Sequence, residues 1–219
     1  MKEWSKRKVA VELNYLKPQE ERSETHLHHA RFSSWIEGFV LPRYKNKQVT
    51  IFDIGCGNSV VVNYLSDNVK YNGIDINEAL IKYSNNAYKS KKDNFIKVCL
   101  QDIEEELSQE TKQMIHRSQI CYIDSVFTML ANPKKVLKEI LIPNFDIIFL
   151  GRTHVSTNRS FMAYLGEYLW PGMENPSPLW HLSEGFFKSI FINCDHHVDM
   201  SILPHNNVVI MKKGGNKIG

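Results

Sequence analysis

Asp53-Ile54-Gly55-Cys56-Gly57-Asn58-Ser59 follows the apolar run Val49-Thr50-Ile51-Phe52 and precedes Val60-Val61-Val62-Asn63-Tyr64-Leu65. The order reads as a strand, a tight glycine turn and the start of a helix. That geometry brings backbone N–H groups and a helix N-terminus close to a nucleotide-like ligand. A dinucleotide fingerprint would need a third glycine at Val60, where helix and strand pack closely, and would not need a carboxylate two residues before the first glycine. Both features count against a dinucleotide.

Downstream the pattern repeats. Val69-Lys70-Tyr71-Asn72-Gly73-Ile74-Asp75-Ile76 reads as a second strand ending in an acid, 18 residues beyond Gly57, where a carboxylate can accept ribose hydroxyls. A third strand, Phe95 to Ile103, closes on the polar pair Gln101-Asp102, and a fourth, Ile120 to Phe127, carries Asp124. The fifth, Asn144 to Leu150, delivers Gly151-Arg152-Thr153-His154 to the same edge as Asp124. One aspartate at a strand end is ordinary turn or capping chemistry. Asp53, Asp75, Asp102 and Asp124 at successive strand ends, one of them inside a glycine turn, point to a shared ligand.

From about residue 49 to about residue 150 this succession resembles the class I S-adenosylmethionine-dependent methyltransferases, whose third motif glycine is Ser59 here, a residue able to N-cap the helix. The resemblance implies an α/β fold: a Rossmann-like, doubly wound, mostly parallel seven-stranded sheet with an N-terminal helical cap. It implies S-adenosyl-L-methionine as cofactor and S-adenosyl-L-homocysteine as product. Asp53 would order the turn of Gly55, Cys56 and Gly57 and face the cofactor's amino-acid end. Asp75 would be the ribose acid. Gln101 and Asp102 would lie beside the adenine, with Ile76 and Ile103 sandwiching the ring, and Asp124 beside the transferred methyl. Pro133 to Ile140 then reads as a helix opened by proline in its first turn.

With 219 residues and 42% hydrophobic content the chain can bury one α/β core, read here as a cap over 1–48 and a cofactor-binding domain over 49–213. No apolar stretch reaches the ~18 residues a membrane span needs, and Met1 to Lys8 has no apolar region for a signal peptide. A cytoplasmic protein is expected. Cys56, Cys99, Cys121 and Cys194 lack C-x-x-C spacing and read as free thiols, without disulfide or structural zinc. Residues 1–48 carry ten Lys or Arg against six Asp or Glu, within a net charge of +3. That excess reads as a solvated surface more than a nucleic-acid footprint.

From Pro18 to Val40, Leu27, Phe32, Trp35, Ile36, Phe39 and Val40 mostly recur at helical spacing, which predicts a helix of about 20 residues across the ligand end of the sheet, ended by Pro42. His26, His28 and His29 interrupt the pattern and read as solvent-facing, without a ligand set for metal. Toward the C-terminus, Pro171, Pro176 and Pro178 among flanking aromatics predict a loop or lid. Ile190 to Asp195 reads as a strand, and Asn207 to Met211 as one that closes the sheet. Arg152-Thr153 followed by the aromatic stretch Trp170 to Trp180 resembles a set of bacterial methyltransferases associated with surface-polysaccharide synthesis.

Methyl transfer from a sulfonium is an in-line displacement, so the protein orients the acceptor and takes its proton. His154 is the first candidate base because histidine titrates near neutrality; Asp124 is the second and His181 the third. The N/D-P-P-Y/F sequence of base-amino methylation is replaced by Asp124-Ser125-Val126-Phe127, and Cys121 lies inside a strand, poorly placed for base-carbon chemistry. Transfer to an O or N atom of a small molecule or sugar-containing precursor is the reading. An RNA or protein methyltransferase and a non-catalytic cofactor-binding protein are the alternatives.

Overall fold

In the computed structural model, residues 23–45, 47–89, 95–153, 155–156, 182–183, 186–187, 196–199 and 207–212 are described. Nine strands are assigned among them: β1 Val49–Ile54, β2 Val69–Asp75, β3 Phe95–Leu100, β4 Ile120–Asp124, β5 Ile147–Gly151, β6 Val155–Ser156, β7 Leu182–Ser183, β8 His196–Asp199 and β9 Val208–Lys212. Seven form one sheet in the order β3-β2-β1-β4-β5-β9-β8, while β6 and β7 pair separately. The first five strands of that order run parallel and β9 runs against both neighbours. The sequence suggested that Asn207 to Met211 closes the sheet, but β9 is inserted between β5 and the edge strand β8. The edge is His196–Asp199; the expected strand Ile190 to Asp195 lies outside the described residues.

A parallel strand covered on both faces needs side chains of both parities to be apolar. Ile51, Tyr71, Ile120, Tyr122, Ile147 and Phe149 face one core cluster; Phe52, Ile74, Cys121, Ile123, Ile148 and Leu150 face the other. The first cluster is covered by helix α1 (Ser23–Trp35) and by α2 (Glu78–Ala87); the second by α3 (Gln109–His116) and by the helical segment 133–144, here α4, opened by Pro133–Lys135. Asn77, Ser108 and Asn132 each N-cap a helix by accepting from backbone N–H groups, which starts α2, α3 and α4 where they begin.

Pro42 does not end the N-terminal helix. The chain continues from α1 through a π-helical turn, Ile36–Val40, into Leu41–Arg43 and leaves only at Tyr44. Segment α4 does the same: a π-turn Val136–Leu141 precedes Ile142-Pro143. In both, the residue before proline bonds five residues back, Leu41 to Ile36 and Ile142 to Leu137. The widened turn gives room to a ring that would clash with the carbonyl four residues back in a regular α-helix. No described helix is long and apolar enough to cross a membrane.

Candidate functional site

Alternation decides where the acids go. Asp53, Asp75 and Asp124 share the parity of Ile51, Tyr71 and Tyr122, so all three lie on the α1/α2 side of the sheet at the carboxyl ends of β1, β2 and β4. In open α/β sheets that edge is where ligands bind.

The glycine turn is held by its neighbours. Gly55 and Gly57 have φ of 72° and 53°, and Ser59, in the third-glycine position, is left-handed too at φ 56°. A Cβ on Gly55 would stand 2.5 Å from Val126 Cγ2, so β1 and the β4 turn approach too closely for any other residue. Gly55 and Cys56 donate to the Ile74 carbonyl at 2.8 and 3.0 Å, Ser59 donates to Cys56, and Gly57 donates to Asp75 Oδ2 at 2.9 Å. These amides are committed internally. Contrary to the sequence reading, Ser59 makes no capping bond, and it leads into a four-residue 3-10 turn, Val60–Asn63, in place of the expected α-helix. The turn shapes the edge and leaves its charge to carboxylates.

Asp75 Oδ1 accepts from Asn77 N at 2.8 Å, so one carboxylate fixes the glycine turn and the start of α2 together. Burial pushes its carboxyl up, against the lowering effect of amide bonds from Gly57, Asn77 and Ile76. Asp53 is buried and accepts from the Tyr71 hydroxyl at 2.7 Å. Burial drives its carboxyl well above the usual range, the Tyr71 bond opposes this, and the charges of Asp124 and Asp75 add to the rise. Further along the edge, Gln101 Oε1 accepts from Ser108 N at 3.1 Å and Asp102 Oδ1 from Glu104 N at 2.9 Å. Ile76 is 46% exposed whereas Ile103 is 3% exposed and packs into the second core cluster, so of the two only Ile76 presents an open face.

At the end of β4, Arg152 grips Asp124 with both Nε, at 2.8 Å, and Nη2. On the other side Nε2 of His28 lies 3.3 Å from Asp124 Oδ1. Burial alone would raise the Asp124 carboxyl, but hydrogen bonds from His28 and Arg152, with their charges, hold it well below the usual carboxylate range. Ser125 and Arg152, directly after β4 and β5, are both left-handed, at φ 62° and 46°. Strain of this kind gathers where a site over-determines the backbone.

The sequence suggested that His28 and His29 face solvent; they do not. Both lie on the packed side of α1: His29 is buried, its Nδ1 3.4 Å from the Tyr122 hydroxyl, and four residues on from His28 Phe32 stacks on Tyr122. Leu27, counted in the apolar face, is exposed. The signal was the spacing: His28, Phe32 and Trp35, and His29, Phe32 and Ile36, follow the i, i+3/i+4, i+7 rule. His26, His154 and His181 offer no described side chains. Cys56, Cys99 and Cys121 are buried free thiols, and burial raises the Cys121 thiol far above its usual range.

A family model described as "Methyltransferase domain" matches residues 45–156. No curated protein sequence matches the chain. Among solved structures it is similar to the magnesium protoporphyrin IX methyltransferase of Synechocystis PCC 6803 with bound SAH, at 11% identity over 84% of this chain and 82% of that one, TM-score 0.56. It is also similar to the plantazolicin methyltransferase BpumL in complex with a pentazolic desmethylPZN analog and SAH, at 19% identity over 89% and 87%, TM-score 0.57. A third is the YcgJ protein of Bacillus subtilis, at 13% identity over 69% and 63%, TM-score 0.53.

Proposed function

The chain belongs to the family of methyltransferase domains that its residues 45–156 match, and from that premise we propose that it is an S-adenosylmethionine-dependent methyltransferase acting on an O or N atom of a small molecule or sugar-containing precursor. One observation carries the cofactor half of this reading. The amides of Gly55, Cys56, Gly57 and Ser59 are consumed within the protein, while Asp53, Asp75 and Asp124 gather at the same edge. A pyrophosphate needs amides and a helix N-terminus. A sulfonium nucleoside bearing an ammonium group needs acids. When bound, the cofactor supplies an electrophilic methyl group.

In this assignment Asp75 takes the ribose hydroxyls with the lone pairs its amide bonds leave, and Asp102 and Gln101 meet the adenine against Ile76. The similarity to two methyltransferases solved with SAH supports the same cofactor. The acceptor half rests on what the β4 turn lacks. Cys121 is buried within the strand with its thiol raised, so it offers no nucleophile for base-carbon methylation, and Phe127 is fully buried where an aromatic platform for a flipped base would be needed. Arg152-Thr153 keeps its likeness to the polysaccharide-associated methyltransferases, and the glycan-precursor acceptor is proposed on it.

Calorimetric titration with S-adenosylhomocysteine and with NAD tests the first half: micromolar-range binding of the former and none of the latter is expected, and the reverse sinks the assignment. Methyl-tritiated S-adenosylmethionine with a cell extract divided into low-mass, RNA and protein fractions tests the second. Label is expected in the low-mass fraction; label confined to RNA or protein rejects the small-molecule reading.

A further inference from the structure

His28 is a titratable side chain outside the cofactor assignment, and its setting is built by four separate parts of the chain. Helix α1 brings the ring to the sheet edge, its stripe fixed below by Phe32 stacked on Tyr122 at 4.1 Å and by Trp35 against Phe149 at 5.4 Å. Strand β4 brings Asp124, with Oδ1 3.3 Å from Nε2. The turn after β5 brings Arg152, whose Nε and Nη2 hold both Asp124 oxygens. Strand β5 ends at Gly151, paired with Asp124, and a Cβ there would stand 2.8 Å from Asp124 Oδ1 and 3.1 Å from His28 Nε2. A residue larger than glycine would push the pair apart.

The ring also has a direction. Nε2 is buried 3.3 Å from Asp124 Oδ1, just beyond a well-formed hydrogen bond, and the side chain as a whole keeps 13% exposure. A carboxylate held ionised by Arg152 favours the tautomer with the proton on Nε2 and the lone pair on Nδ1, the arrangement in which a carboxylate orients a histidine base. Asp124 itself is a poor proton acceptor, because the Arg152 guanidinium engages both of its oxygens. Among the described residues, the other titratable and charged groups around this pair are His29, which turns to the Tyr122 hydroxyl, Arg152, and the buried Asp53, whose charge couples to Asp124.

Resting on the reading of the edge as a methyl-transfer site, we propose that His28 is the general base, Asp124 its orienting carboxylate and Arg152 the residue that fixes Asp124. The acceptor's lone pair forms the new bond to the methyl carbon and the C–S bond breaks, its electron pair passing to sulfur to give the thioether of S-adenosylhomocysteine. The acceptor's proton passes to Nδ1 of His28 and from there to water. The imidazolium formed in that step faces the Asp124 carboxylate.

The test uses the full chain and S-adenosylhomocysteine as probe. Nitrogen-15 imidazole NMR is expected to show neutral His28 protonated on Nε2, and Asp124→Asn to lose that preference. Bound S-adenosylhomocysteine should slow modification of His28 by diethyl pyrocarbonate at least fivefold, and His28→Gln should bind it within threefold of wild type. With the low-mass extract as acceptor, His28→Gln should lower the rate by ~10²–10⁴-fold and remove the acid limb of the pH–rate profile. A neutral ring protonated on Nδ1, no protection by bound ligand, or an unchanged pH profile each overturns the proposal. Failure of the wild type to bind S-adenosylhomocysteine, or to methylate the low-mass fraction, instead overturns the reading on which it rests.

Discussion

At the residue scale, two glycines of one motif carry different demands. Gly55 at φ 72° faces Val126 so closely that alanine meets both a strained backbone and a 2.5 Å contact; Gly57 at φ 53° has open space where its Cβ would go. Gly57→Ala should cost about 1–2 kcal/mol, the left-handed penalty alone, and Gly55→Ala clearly more, with part of the excess recovered by adding Val126→Ala. Urea unfolding of the three variants checks this; equal costs for the two glycines would show that Val126 gives way freely. Asp75→Ala removes the acceptor for Gly57 and Asn77 as well as the proposed ribose contacts, each bond to a charged acceptor contributing about 1.5–3 kcal/mol. Cofactor affinity should fall at least tenfold in a variant whose circular dichroism remains native. Unchanged affinity would remove Asp75 from the site.

At the element scale, α1 is the piece whose role its own pattern hid. Its apolar residues make a weak stripe because two of the positions that pack on the sheet are His28 and His29, which become usable only where β4 offers Asp124 and the Tyr122 hydroxyl. The anchor of the helix is Phe32, fully buried and stacked on Tyr122 with an edge toward Phe149. Phe32→Ala should destabilise by about 3–5 kcal/mol, measured by urea unfolding followed by fluorescence. A loss below about 1 kcal/mol would mean that α1 docks independently of this stack.

At the scale of the whole molecule, acids on one sheet edge pull stability in opposite directions with pH. Asp124 is held below its ordinary value, so the stability it contributes is present above about pH 4 and lost as pH falls further. Asp53 and Asp75 are raised by burial, so their contribution is fully present below about pH 4 and lost as pH rises through their folded values. Thermal melts should therefore show a stability maximum on the acid side of neutrality. Asp53→Asn should flatten the neutral limb while Asp124→Asn flattens the acid one; an Asp53→Asn profile that parallels wild type would show the buried carboxyl is not the source. A cationic cofactor favours the ionised acids, so S-adenosylmethionine affinity should rise with pH across the same neutral limb, read by calorimetry at several pH values.

The strand ends were legible in the sequence because each couples an apolar run of strand length to a turn residue: Val49–Ile54 into Gly55, Val69–Asp75 into Asn77, Ile120–Asp124 into Ser125. These are local signals; that Asp53, Asp75 and Asp124 share a face follows from the register between strands, because both parities of each run are apolar. What lies between distant segments was decided only by the fold. That β9 inserts beside β5 depends on which edge offers unpaired backbone. The commitment of the turn amides depends on β2 lying alongside, with Ile74 and Asp75 as acceptors. The pairing of His28 with Asp124, 96 positions apart, exists only because Gly151 leaves room for it and Phe32 seats the helix. Hydrophobic periodicity states which face of an element is buried; it carries no information about which polar groups burial will bring together, and that tertiary step made two histidines of an irregular helix part of the candidate site.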